Sequence, residues 1–216
     1  MNSPAQYAAL TPDTILAAVE SVGFRCDGRL LALNSYENRV YQVGIEESPP
    51  LIAKFYRAGR WSNAQILDEH SFSLELSIAE VPVVPPFEIG GTTLHMRGEF
   101  RFALYPRCGG RAPEFDDPKV LEWIGRFIGR IHAIGAVRPF ANRPTLDVET
   151  FGDEPRAYLL GCGFIPPDII DSYRAASVQA LDAVRMCFER AGDVGHLRLH
   201  GDCQAGNILW TDDGPH

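Results

Sequence analysis

The 216-residue sequence has no dense run of lysine and arginine. Its formal net charge is −8, which argues against a nucleic-acid-binding surface, because phosphate-backbone binding needs clustered cations. No apolar run reaches the length of a membrane span, so neither nucleic acid nor membrane is an expected partner. Met1–Leu10 lacks a basic stretch followed by an apolar block, and no secretory signal is expected. Cysteine is sparse: Cys26, Cys108, Cys162, Cys187 and Cys203 are odd in number and form no C-x-x-C pair. That pattern speaks against disulfides and a zinc site, and for reduced thiols in the cytoplasm. Internal repeats, low-complexity tracts and disordered linkers are missing. The G-x-x-x-x-G-K-[ST] run of P-loop NTPases is absent, and so are H-E-x-x-H and G-x-S-x-G, leaving metalloprotease and serine-hydrolase chemistries without support.

What is present is ample apolar material, 45% of residues, enough for one large domain or two small ones. Thr11-Pro12-Asp13 is a helix start, with a capping hydroxyl and proline at the first position. Ile15, Leu16, Val19 and Val22 form its apolar face, and Gly23 ends it. Leu30–Leu33, Val40–Ile45 and Leu51–Tyr56 are predicted strands, the last two separated by a turn at Glu46-Glu47-Ser48-Pro49-Pro50. Ser62–Glu80 is a predicted helix with a stripe of Ile66, Leu67, Leu74 and Ile78. Short strand segments follow around Gly90-Gly91, then a strand at Phe100–Pro106. The bend Cys108-Gly109-Gly110 marks a boundary between lobes of residues 1–106 and 107–216. Asp117-Pro118 opens a helix with Leu121, Ile124, Ile128 and Ile131 on one face. Residues 139–152 read as irregular, and a last helix is expected from about Pro167 to Ala191, carrying Ile169, Tyr173, Ala176, Ala180, Val184 and Cys187. The fold class is α+β: a sheet-rich lobe, then a helical one, with a cleft between them suited to a small ligand.

The most telling run is His200-Gly201-Asp202-Cys203-Gln204-Ala205-Gly206-Asn207, set between apolar stretches at Leu197–Leu199 and Ile208–Trp210. A carboxylate and a carboxamide at this spacing suit phosphoryl transfer, with Asp202 accepting a hydroxyl proton and the Asn207 oxygen holding magnesium on ATP. The plain alternative is a turn with local Asx bonds. Lys54, flanked by apolar residues in its strand, is placed to reach the α- and β-phosphates; the bland reading is an exposed lysine. Glu69 in the following helix is favoured to pair with it over Asp68 and Glu75. The glycine-free loop Asn34–Arg39 offers Ser35 and Asn38 as phosphate donors, or is an ordinary hairpin turn. Cys203 has no evident base to make it a nucleophile. His132 and His200 read as structural, the latter orienting the loop.

With these pieces in order, the chain resembles the aminoglycoside phosphotransferase/choline kinase superfamily. Asn34–Gln42, Ala53–Arg57 and Leu199–Cys203 are most similar to its bacterial stress-response kinase branch. The resemblance runs from about Thr11 to the last residue. It implies a two-lobed, protein-kinase-like fold and an ATP- and magnesium-dependent serine/threonine protein kinase of the cytoplasm, acting as a monomer. Asp202 would be the proton acceptor, Asn207 a magnesium ligand and Ser35 an ATP contact, with Asn38, Lys54 and Glu69 completing the nucleotide site. The acceptor is a protein serine or threonine, or alternatively a small-molecule alcohol of the aminoglycoside or choline type; a non-catalytic nucleotide-binding module is the third reading. Two departures stand out. Gly201 replaces the arginine that pairs with an activation-loop phosphate in many kinases. The return strand with a second magnesium aspartate is not found after Asp212-Asp213-Gly214, so the helical lobe is expected to be truncated and the fragment inert.

Overall fold

The structure, a computed structural model, describes residues 7–212, 214 and 215. Its contacts divide the chain into two compact units, Met1–Ala141 with Arg198–His216, and Asn142–Leu197.

The first unit is built on a five-stranded antiparallel sheet. In chain order the strands are β1 (Cys26–Leu33), β2 (Arg39–Ile45), β3 (Ser48–Phe55), β4 (His95–Arg97) and β5 (Phe100–Pro106). In space they run β1-β2-β3-β5-β4. Helix α1 (Pro12–Glu20) is capped by Thr11, whose side chain accepts from the Thr14 N–H at 3.3 Å. It buries Ile15, Ala18 and Val19 with Val43, Leu51, Phe55, Phe102 and Leu104. Alternation along β3 then separates two faces: Leu51, Ala53 and Phe55 are buried in that core, and Lys54, between them, takes the other face.

Helix α2 (Asn63–Ile78) serves that second face. A capping box fixes its start: Ser62 accepts from the Gln65 N–H and the Gln65 side chain accepts from the Ser62 N–H. Its buried residues are Ile66, His70, Phe72 and Leu76. Of the predicted stripe, Ile66 is buried and Leu74 half-buried, whereas Leu67 and Ile78 are exposed. The helix meets two clusters in succession, so its contact line turns. Ile66 packs with Tyr56 and Ala103, and Phe72 and Leu76 pack with Val81 and Ile131. Helix α3 (Pro118–Gly135) supplies Ile131, with Ile124 also buried as expected, though Leu121 is exposed.

The predicted five-residue turn is shorter. Only Glu46-Glu47 turn, with Glu47 at φ 54, and β3 already pairs at Ser48 with Ile45. Pro49 and Pro50 are tolerated there because pairing with β5 begins only at Leu51, so that side needs no N–H from either proline. Strand β1 starts before Leu30, across an irregularity between Cys26 and Leu30.

The second unit holds a π-turn at Glu149–Asp153, α4 (Glu154–Gly161) and α5 (Ile170–Ala191). The segment expected to be irregular therefore turns helical at its end. Arg185 grips both Asp153 oxygens at 2.6 Å. Gly152 is needed there, since a Cβ would lie 2.5 Å from Leu181 Cδ2. No residue of α5 is fully buried, and Val184 from the expected apolar face is exposed.

Candidate active site

All six residues singled out for nucleotide, metal and proton transfer belong to the first unit. The structure joins them in three pairs. Lys54 Nζ donates to Glu69 Oε1 at 3.1 Å, with the side chains 25% and 38% exposed. Opposite Lys54 across β5 stands Ala103, small enough to leave room. Glu69 is held in place by its neighbour His70, which is buried and pinned at both ring nitrogens. Nε2 bonds the Tyr56 hydroxyl at 2.6 Å and Nδ1 the Thr93 hydroxyl at 2.7 Å. Tyr56 also bonds the Tyr105 hydroxyl at 3.0 Å, and burial raises the Tyr105 pKa despite the opposing pull of Lys54. These groups lock α2 to the sheet beside the ion pair. Lys54 Nζ also lies 5.0 Å from the centre of the Tyr56 ring.

Ser35 and Asn38 meet in the loop between β1 and β2. Ser35 Oγ donates to the Asn38 carbonyl at 2.8 Å, and Asn38 Oδ1 accepts from the Arg57 N–H at 3.3 Å. Glu37 ties the same loop to the chain before α2, accepting from Arg60 Nε at 2.9 Å and Trp61 Nε1 at 3.2 Å. A loop without glycine is thus shaped by side-chain bonds instead of backbone freedom.

Asp202 and Asn207 form the third pair, both exposed. Asn207 Nδ2 donates to the Asp202 carbonyl and to Asp202 Oδ2, each at 2.8 Å. Both partners can only accept, so the amide must present its NH2 to them, and its Oδ1 faces away. Oδ1 is the hard neutral oxygen that magnesium takes, an ion that keeps several waters and relies on phosphates for the rest of its shell. The donor type therefore fits the metal that the sequence implies. His200 Nδ1 accepts from the Asp202 N–H at 3.3 Å, which orients the loop. Gly201 adopts φ +80, a left-handed conformation that disfavours an arginine, or any other side chain, at this position. The Cys203 thiol is pushed up, first by burial and then by the Asp202 charge, a direction that disfavours the thiolate a nucleophile needs.

Beyond Asn207 the chain forms a short hairpin, β6 (Trp210–Thr211) with β7 (Gly214–Pro215). Asp212 is an exposed turn residue, and Asp213 lies outside the described residues. Trp210 exchanges two backbone hydrogen bonds with Arg111, at 2.9 and 2.7 Å. That pins the segment after β5 to the end of the Asp202–Asn207 loop. Gly110 permits the approach, since a Cβ would fall 2.8 Å from Leu209 Cβ.

Glu75, the rival partner for Lys54, is engaged elsewhere, by Arg198 and Arg138. Arg198 lies within the apolar stretch Leu197–Leu199, and a charge in such a stretch is the one signal of its role in the sequence. The His70 network carries no comparable signature.

A strand lysine tied to a helical glutamate, together with an Asp–Asn loop on an α+β scaffold, defines a kinase-like class of phosphotransferase. Residues 29–216 match the phosphotransferase enzyme family, and the chain belongs to it. Stress response kinase A of Salmonella choleraesuis is 43% identical over 209 residues, covering 97% of this chain and 63% of that protein. Serine/threonine protein kinase RdoA of Salmonella typhimurium is 42% identical over 209 residues, with the same coverage, 97% and 63%. The chain thus spans less than two-thirds of the length of these relatives. Among solved structures, amicoumacin kinase hAmiN in complex with AMP-PNP, Ca2+ and Ami superposes with a TM-score of 0.73 at 17% identity, covering 99% of this chain and 65% of that one. That likeness establishes a kinase-like fold.

Proposed function

We propose that the full-length protein is an ATP- and magnesium-dependent serine/threonine protein kinase, which moves the ATP γ-phosphoryl group to a protein hydroxyl. Residues 1–106 form the nucleotide lobe in this reading, and 107–216 belong to the helical lobe. The observation that carries it is the Asp202–Asn207 pair. Asn207 engages one carboxylate oxygen of Asp202, and the other takes the proton as the acceptor oxygen bonds to the γ-phosphorus and the bond to the β-phosphate oxygen breaks. Lys54, aimed by Glu69, steadies the α- and β-phosphates, and the Ser35–Asn38 loop covers them. Asn207 would hold magnesium, which neutralises charge on the phosphates. The 42% identity to a relative named as a serine/threonine protein kinase supports the protein acceptor. Among described residues no helix is long and apolar enough to cross a membrane. The cytoplasm, where ATP is abundant, is the compartment this chemistry requires.

A second reading is a small-molecule phosphotransferase, favoured by the fold shared with amicoumacin kinase. Full-length protein incubated with radiolabelled ATP, generic protein substrates and an amino-alcohol panel separates the two. Label on serine or threonine supports the proposal, and label confined to the amino alcohols refutes it.

A further inference from the structure

We infer that Glu75 and Arg198 form a positioning clamp that sets the Asp202–Asn207 loop against α2, the same helix that aims Lys54. The inference deepens the proposed function and rests on it for its catalytic consequence, though not for its structural one.

The clamp is closely fitted. Arg198 Nη1 and Nη2 donate to the two Glu75 oxygens at 2.6 and 2.9 Å, the fork-to-fork geometry that only arginine provides. Nη2 also donates to the Ile134 carbonyl at 3.0 Å, and the guanidinium lies 4.3 Å from the centre of the Phe72 ring and 5.9 Å from that of Phe140. Arg198 is only 3% exposed. Its backbone is seated as firmly: the Arg198 N–H donates to the Gly135 carbonyl at 3.2 Å, and a Cβ on Gly135 would strike the Arg198 carbonyl at 2.2 Å. Arg198 is thus fixed to α2 and α3 at both ends, four residues ahead of Asp202.

The placement of Glu75 argues for a purpose beyond filling space. It sits in the last turn of α2, where the helix dipole disfavours a carboxylate, and it is retained with cations from two sides. Arg198 hydrogen bonding, followed by that of Arg138, holds its carboxyl below the ordinary carboxylate range. One helix therefore carries two carboxylates with parallel tasks. Glu69 holds the lysine expected on the phosphates, and Glu75 holds the chain leading to the proton acceptor. Their common helix fixes the distance between nucleotide and base, the quantity on which transfer by positioning depends.

Breaking a buried pair by removing one partner can unfold a protein, whereas replacing both by apolar groups of similar volume is commonly tolerated. The test therefore uses the full-length Glu75→Leu/Arg198→Met double variant beside Arg198→Lys. Amide exchange over residues 199–209 is read together with kcat and KM for ATP. The double variant is expected to melt within a few degrees of wild type, exchange faster in 199–209, and lose about 10- to 100-fold in kcat, as a misplacement near 1 Å implies. KM for ATP should stay within about twofold, because Lys54 and Glu69 are untouched. Arg198→Lys should fall between. Unchanged exchange in a folded double variant overturns the clamp. Faster exchange with unchanged kcat overturns its catalytic role. If the wild type transfers no phosphate, the proposed function fails, and the exchange measurement still decides the clamp.

Discussion

Removing the Lys54 ammonium, as in Lys54→Met, should uncouple nucleotide binding from stability. The Lys54–Glu69 bond is 3.1 Å long, but its side chains are 25% and 38% exposed. A pair so open to solvent contributes about 0.2–1 kcal/mol to folding after screening, which in a chain of this size lowers the melting temperature by about 2–4 °C at most. On the nucleotide the same ammonium would make charge-assisted hydrogen bonds, each worth about 1.5–3 kcal/mol. Losing one converts to about 10- to 150-fold in ATP affinity or turnover. Glu69→Gln should give a weaker version of the same defect, since it removes the carboxylate charge that aims the lysine and leaves the ammonium in place. The assay is a double-mutant cycle on the full-length protein, with ATP affinity by calorimetry and stability by thermal unfolding. The double variant should be little worse than Lys54→Met alone. Additive losses would show that the two residues do not act together. A drop in melting temperature of ten degrees or more without change in ATP affinity would make the pair structural and refute the assignment.

Gly201→Ala should cost about 1–2 kcal/mol, because φ is +80 while a Cβ there meets nothing within 4 Å; denaturant titration should show that loss, and Gly201→Arg a similar one. Acidification should loosen the loop at Glu75. Its carboxyl is held low in the fold, so the stabilisation is complete above the ordinary glutamate range and is lost as pH falls through the depressed value. Glu75→Gln should flatten this part of the pH–stability curve. Cys26, whose thiol is raised to about 11 by burial first and then by Glu20 and Asp27, should be about one part in a thousand thiolate at pH 8. Mass-spectrometric alkylation should then find exposed Cys108 and Cys187 modified well before it, and equal rates would contradict that burial.

Much of this molecule is written locally. The Thr11-Pro12-Asp13 cap, the strand Phe100–Pro106 and the Asp117-Pro118 helix start all depend on residues adjacent in sequence, and they form as read. So does the pairing of Lys54 with Glu69, because a strand followed by a helix leaves few faces for them to meet. The failures concern features set by distant neighbours. Two successive clusters turn the contact line of α2 away from its apparent stripe, leaving Leu67 and Ile78 exposed. The prolines at 49 and 50 read as a turn, yet they belong to β3 because β5 starts pairing one residue later. Glu75 and Arg198 are 123 residues apart in sequence, and nothing local joins them. Residues 139–152 read as irregular, yet the chain turns helical from Glu149, where Gly152 packs closely on the distant Leu181.

The central claim is that Asp202 takes the acceptor proton in a phosphoryl transfer whose nucleotide is held elsewhere. The direct measurement compares wild-type and Asp202→Asn full-length protein with γ-labelled ATP and magnesium, following transfer and ATP affinity on the same samples. Asparagine keeps the shape and the bond to Asn207 but cannot accept the proton. Transfer should fall by about two to four orders of magnitude, with ATP affinity changed by less than about threefold, the size of a lost solvent-exposed contact. Undiminished transfer, or ATP binding abolished in a variant that remains folded, would contradict the account.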